Sequence, residues 1–192
     1  MMKYLLICFC LLLFIDASAQ QDTLHQNHKF YYGVGLSGGK GTEDGGYGEL
    51  HLYLQRKTNY IAFKSSGISE FELFGDKPNP SISDVGIIVG KSYSFERYIN
   101  IKLGAGLAFT EQISRGAFLY NTCKSMFCLF DHDVYEIVTT RTIGIPIEVR
   151  TSFLVGRAAA LTLGMSANLN NANSFCGFSV GATFGRLRDR VK

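Results

Sequence analysis

RYINIKLGAGLAF, residues 97–109, alternates with hardly a break. Ile99, Ile101, Leu103, Ala105, Leu107 and Phe109 fall on one face of an extended chain, and Asn100, Lys102, Gly104, Gly106 and Ala108 fall on the other. A period of two is the signature of a strand. The second face decides more than the first, because it carries glycine, alanine and one lysine where a water-facing strand would carry several long charged side chains. Such a face suits the inside of a narrow barrel, with the aliphatic face turned outward to lipid.

The same design recurs along the chain. Of 192 residues, 46% are hydrophobic and only 18% charged, with 21 glycines and no tryptophan, which fits one domain. A net charge of +3, with no basic run before Arg186, Arg188, Arg190 and Lys192, excludes a nucleic-acid partner. At the N-terminus, Lys3 precedes an apolar core from Tyr4 to Ile15 and then Ala17-Ser18-Ala19, the three-part pattern of a cleaved secretion signal over 1–19. That core, which includes Cys8 and Cys10, is shorter than the roughly 20 residues of a membrane-crossing helix. No later stretch is longer, so any span must be made of strands. Residues 20–28 read as a flexible polar lead, 29–186 as the barrel and 187–192 as a basic periplasmic tail.

Eight strands are expected, over 29–37, 47–56, 60–66, 83–93, 97–109, 138–153, 158–168 and 175–185. Glycine- or proline-bearing loops are expected over 38–46 and 67–81, a much longer one over 110–136, and a small one over 170–174. Short turns are expected near Lys57, Phe95 and Gly156. Long and short connections thus alternate, as they do between the external and periplasmic ends of outer-membrane barrels, which places both termini in the periplasm. Phe30, Tyr32, Tyr60, Tyr93, Phe95, Tyr98, Phe153 and Phe184 gather near the short-turn end, where an interfacial girdle belongs. The inward face carries Glu49, Asp84 and Glu148 against Lys64, Lys102 and Arg150, three acids for three bases, with His51 among them. Buried charges are tolerable only when partnered, so these residues are expected to form a lumen charge network.

The signal, the glycine-rich alternating strands, IGIPIEVR at 143–150 and FSVGATF at 178–184 resemble the small outer-membrane β-barrels of Gram-negative bacteria, of the porin-like or OmpA/OmpX-like kind. The resemblance covers the whole mature chain and implies an all-β, eight-stranded antiparallel up-and-down transmembrane barrel in the outer membrane. The chain departs from that pattern at its end, where Phe184 is followed by GRLRDRVK instead of being terminal.

Candidate chemistry is sparse. His51, with Ser37 or Ser179 and a carboxylate, has the residue types of a lipid-modifying barrel enzyme, but no nucleophile motif accompanies it. A histidine satisfied inside a polar core is the expected role. Asp131-His132-Asp133 has metal-ligand types without a second histidine nearby, and reads as a solvated loop cluster. No catalytic residue, metal or cofactor is therefore assigned. Cys123 and Cys128, which bracket KSMF inside the longest loop, form either a local disulfide or two free thiols, and Cys176 acts as a small lipid-facing hydrophobe. Phe118, Tyr120, Phe127 and Phe130 make that loop either a contact surface for an extracellular protein or other surface ligand, or a flap over the barrel mouth. The leading expectation is a non-enzymatic outer-membrane barrel with a structural or surface-interaction role, chiefly through 110–136. The alternatives are a narrow pore, the lipid-modifying enzyme and a soluble secreted ligand-binding barrel.

Overall fold

The computed structural model describes residues 30–42, 45–70, 76, 78–95, 98–121 and 133–188. Eight strands close one antiparallel barrel in sequence order: β1 (Phe30–Gly41), β2 (Gly46–Arg56), β3 (Asn59–Ser69), β4 (Ser81–Phe95), β5 (Ile99–Asn121), β6 (Asp133–Leu154), β7 (Ala159–Asn170) and β8 (Phe175–Arg186). β1 pairs with β8, with Leu36 opposite Ala182, so no lateral edge remains at the seam.

The expected faces are the observed ones. Along β2 every second residue from Tyr47 to Gln55 is buried and its neighbours are exposed, which is what a period-two sequence does when only one face is enclosed. Ile145 is 50% exposed on the outside, as are Leu36, Ile61, Val89, Phe109 and Val180 among others, so the aliphatic side chains form the outer wall. Ile88, the aliphatic residue that breaks the alternation of β4, is fully buried inside.

Three expectations about connections and one about the aromatic girdle need correction. The strand β1 runs on to Gly41 and β3 to Ser69, past the glycines expected to stop them, since an antiparallel partner supplies hydrogen bonds wherever the neighbour continues. The 110–136 loop is largely strand, because β5 extends to Asn121 and β6 begins at Asp133, across bulges between Arg115 and Phe118 and between Phe118 and Tyr120. Connection lengths alternate less cleanly than expected: the 42–45 link between β1 and β2 is no longer than the turn at 155–158. Tyr60 does not join the girdle. It points inward, 4% exposed, one step after the tight Lys57–Thr58 turn, whereas Phe30, Tyr32, Phe95, Tyr98, Phe153 and Phe184 do lie outside.

The core is the lumen, and it is layered. At the loop end Tyr47, Ile68, Ile82 and Phe175 pack together. Nearer the short-turn end Tyr53, Tyr60, Ala62 and Ile88 form a second cluster against which Leu187 packs as the chain leaves β8. Glycine makes room for these rings: a Cβ on Gly177 would collide with the Tyr47 ring. Gly185 permits the inward turn, with φ +150° and the Tyr32 carbonyl oxygen close to where a Cβ would stand. A polar belt fills the space between the two clusters.

Candidate functional site

Neighbouring strands place the belt. Lys102 faces Arg150 across β5 and β6, His51 faces Lys64 across β2 and β3, and Glu148 faces Ser166 across β6 and β7. Glu49, His51, Lys64, Asp84, Lys102, Glu148 and Arg150 are all buried. Arg150 Nη2 lies 2.7 Å from Glu49 Oε1 and 3.5 Å from Glu148 Oε2, so one guanidinium joins two carboxylates from opposite sides of the barrel. Lys64 Nζ is 3.8 Å from Glu49 Oε2 and donates to Ser166. Tyr47 donates to Glu49 at 2.9 Å, and Tyr60 donates to Glu148 at 2.9 Å.

Two of the seven stand apart. Asp84 accepts hydrogen bonds from Ser66 and, at 2.6 Å, from Asn168, which also donates to Thr110 at 3.1 Å. Its charge is held by neutral donors, which stabilise a carboxylate as hydrogen bonds without needing a cation. Lys102 Nζ sits on the face of Tyr53, 2.8 Å from the ring centroid, with the Tyr60 ring 5.8 Å away. A ring quadrupole can partner an ammonium where water is excluded. Sequence parity points these residues inward but cannot name Ser166, Asn168 or the tyrosine rings as partners, because partners are chosen across the lumen between strands distant in the chain.

His51 Nε2 lies 3.3 Å from Glu148 Oε1, and its ring lies against Tyr53 with centroids 5.6 Å apart. Its Nδ1 has no hydrogen-bond partner among the described residues. Ser179 donates to Glu49 at 3.3 Å, away from the imidazole. The carboxylate and base are thus together, but among the described residues no hydroxyl is set against the free face of the base, as activation of a nucleophile requires.

The second candidate surface is the hairpin of β5 and β6. Against β4, β5 is paired only as far as Ile113, and against β7, β6 is paired only from Gly144. Residues 114–121 and 133–138 therefore have each other as their only strand neighbour among the described residues, and extend past the last pairing of β5 with β4. Phe118, Leu119, Tyr120, Ile137 and Val138 are exposed there, with Phe118 edge-on to Tyr135 at 5.8 Å. Arg115 ties the base of the hairpin to the preceding connection by donating to the carbonyls of Pro78 (3.1 Å) and Asp76 (2.9 Å), and Asp133 N–H donates to the Asp76 carboxylate at 3.0 Å. Phe118 and Tyr120 thus lie on a two-stranded ribbon. Phe127, Phe130, Cys123, Cys128, Asp131 and His132 lie outside the described residues, as does the expected signal sequence at 1–19. Asp133 accepts from Asn121 at 2.8 Å. Cys176 is partly buried and unbridged.

No family model matches the chain, and no curated protein sequence does. Its fold does match solved structures. Neisserial surface protein A superposes with a TM-score of 0.58 at 12% identity, over 83% of this chain and 99% of that one. A major outer membrane protein from Thermus thermophilus gives 0.58 at 9% identity, over 82% and 100%. Ail, the attachment invasion locus protein of Yersinia pestis, in complex with the heparin analogue sucrose octasulfate, gives 0.53 at 9% identity, over 83% and 99%. In fold, the chain is a small eight-stranded antiparallel β-barrel of the outer-membrane type.

Proposed function

We propose that this barrel resides in the outer membrane with its termini in the periplasm, carries out no catalysis, and uses the β5–β6 ribbon to hold an extracellular partner protein. The observation that carries this reading is the ribbon itself, which continues past the last pairing of β5 with β4 and exposes Phe118, Leu119, Tyr120, Ile137 and Val138. Apolar side chains gathered on a projecting element, beyond any lipid-covered wall, favour a contact surface. A sulfated glycan of the kind bound to Ail suits this ribbon less well. Its described cations are engaged, Arg141 with Glu111 at 2.7 Å and Arg115 with carbonyls, and Asp133 and Glu136 add negative charge. A pore is disfavoured by a lumen filled with interlocked side chains, and a lipid-modifying enzyme by the absence of a hydroxyl against His51 among the described residues.

The test compares cells displaying the wild-type chain with cells in which residues 116–136 are replaced by a short glycine linker. Adhesion to protein-coated surfaces is expected to fall to the level of cells lacking the chain, unaffected by added sucrose octasulfate, while the barrel keeps its heat-dependent gel migration. Equal adhesion by both chains rejects the reading.

A further inference from the structure

On the outer wall at the short-turn end, an open groove of about 530 Å³ runs across β1 to β4. The register explains its chemistry. Phe30, Arg56, Asn59 and Lys91 lie side by side in one row, since Phe30 pairs with Arg56, Arg56 with Asn59 and Asn59 with Lys91. The next row toward the membrane centre is Leu54, Ile61 and Val89, all exposed and apolar. All these side chains point outward. Arg56 and Lys91 are two strands apart, about 10 Å at the usual strand spacing, and the short Asn59 between them leaves a notch. The Arg56 guanidinium lies over the Phe30 ring, 5.5 Å from its centroid, which holds the cation at the groove edge.

Among the described residues the groove is flanked by basic side chains. Arg56, Lys57, Lys91, Arg157 and Arg186 lie at the short-turn end, and no acidic residue does among the described residues. A similar groove at the loop end, lined by Val85, Phe109 and Ile143, contains both an acid and a base, Glu111 and Arg141, 2.7 Å apart. Two cations over an apolar wall, with an amide between them, match an amphiphile that has an anionic head and an acyl tail.

We propose that this groove binds an anionic glycerophospholipid of the leaflet at the short-turn end, with its phosphate between Arg56 and Lys91 and one acyl chain along Leu54, Ile61 and Val89. The proposal rests on the membrane-spanning reading of the barrel. Native mass spectrometry of the full chain in detergent, titrated with dioleoylphosphatidylglycerol or dioleoylphosphatidylcholine, tests it. The wild-type chain is expected to retain the glycerol lipid in preference to the choline lipid. Arg56→Gln with Lys91→Gln is expected to lower the apparent affinity for the glycerol lipid about tenfold, Lys91→Gln alone by about threefold, and Arg157→Gln to leave it unchanged. Equal retention of both lipids by the wild type, wild-type binding by the double variant, or an equal loss in Arg157→Gln overturns the site. Heat-dependent migration establishes that each variant is folded. A chain that stays monomeric in buffer without detergent overturns the membrane reading instead, so the two failures are distinguishable.

Discussion

Arg150 shows how a single side chain can organise a lumen. Its Nη2 bridges Glu49 and Glu148, and those carboxylates are also approached by Lys64, Tyr47, Tyr60 and His51. Removing one member leaves buried charge without compensation, which costs far more than exchanging the whole set for apolar residues. Glu148→Ala takes away one of the two partners of Arg150 and leaves Tyr60 and His51 facing a gap. The expected loss is about 3 kcal/mol, read as a lower urea midpoint for the barrel folded in lipid vesicles. His51 and Glu148 were legible from alternation alone as inward-facing residues. Their contact was not, because β2 and β6 are not hydrogen-bonded neighbours and meet only across the lumen.

At the scale of elements, the β5–β6 hairpin is where sequence and structure part most clearly. Residues 114–121 lose strict alternation because bulges interrupt the register, and glycine and charge near Arg115 and Gly116 read as loop signals. With no second face to bury, nothing in the sequence forces a two-period pattern, yet cross-strand hydrogen bonds still extend the ribbon. Trypsin added to intact cells is expected to cut at Lys124, between the ends of the ribbon, and to spare Lys57 and Arg157 until the outer membrane is opened. If Cys123 and Cys128 are joined, the two fragments stay together on a denaturing gel until reductant is added; free thiols let them separate at once. Cleavage at Lys57 in intact cells rejects the proposed orientation.

At the scale of the molecule, eight strands enclose a space that their own side chains fill. Aromatic and aliphatic clusters lie toward both ends of the charged belt, and Leu187 packs against the one nearer the short turns. Two measurements follow from this layering. The folded chain is expected to migrate differently on gels before and after boiling, and to produce no stepwise conductance in a planar bilayer. Discrete conductance steps that persist in independent reconstitutions would show that the belt opens, and would return the pore reading to first place.

The order of strands, the inward and outward faces and the identity of the buried ionisable residues were written in the chain, because side chains of an extended strand must alternate and only one face of a closed sheet is enclosed. Which groups partner one another depended on the closed barrel. Closure and stagger set the distances across the lumen, so that Asp84 meets Ser66 and Asn168, Lys102 meets Tyr53, and Arg150 joins two carboxylates. The height of the β5–β6 ribbon was likewise settled by pairing between strands. A local sequence specifies which way a residue points, whereas the neighbour it reaches is fixed by where the rest of the chain stands.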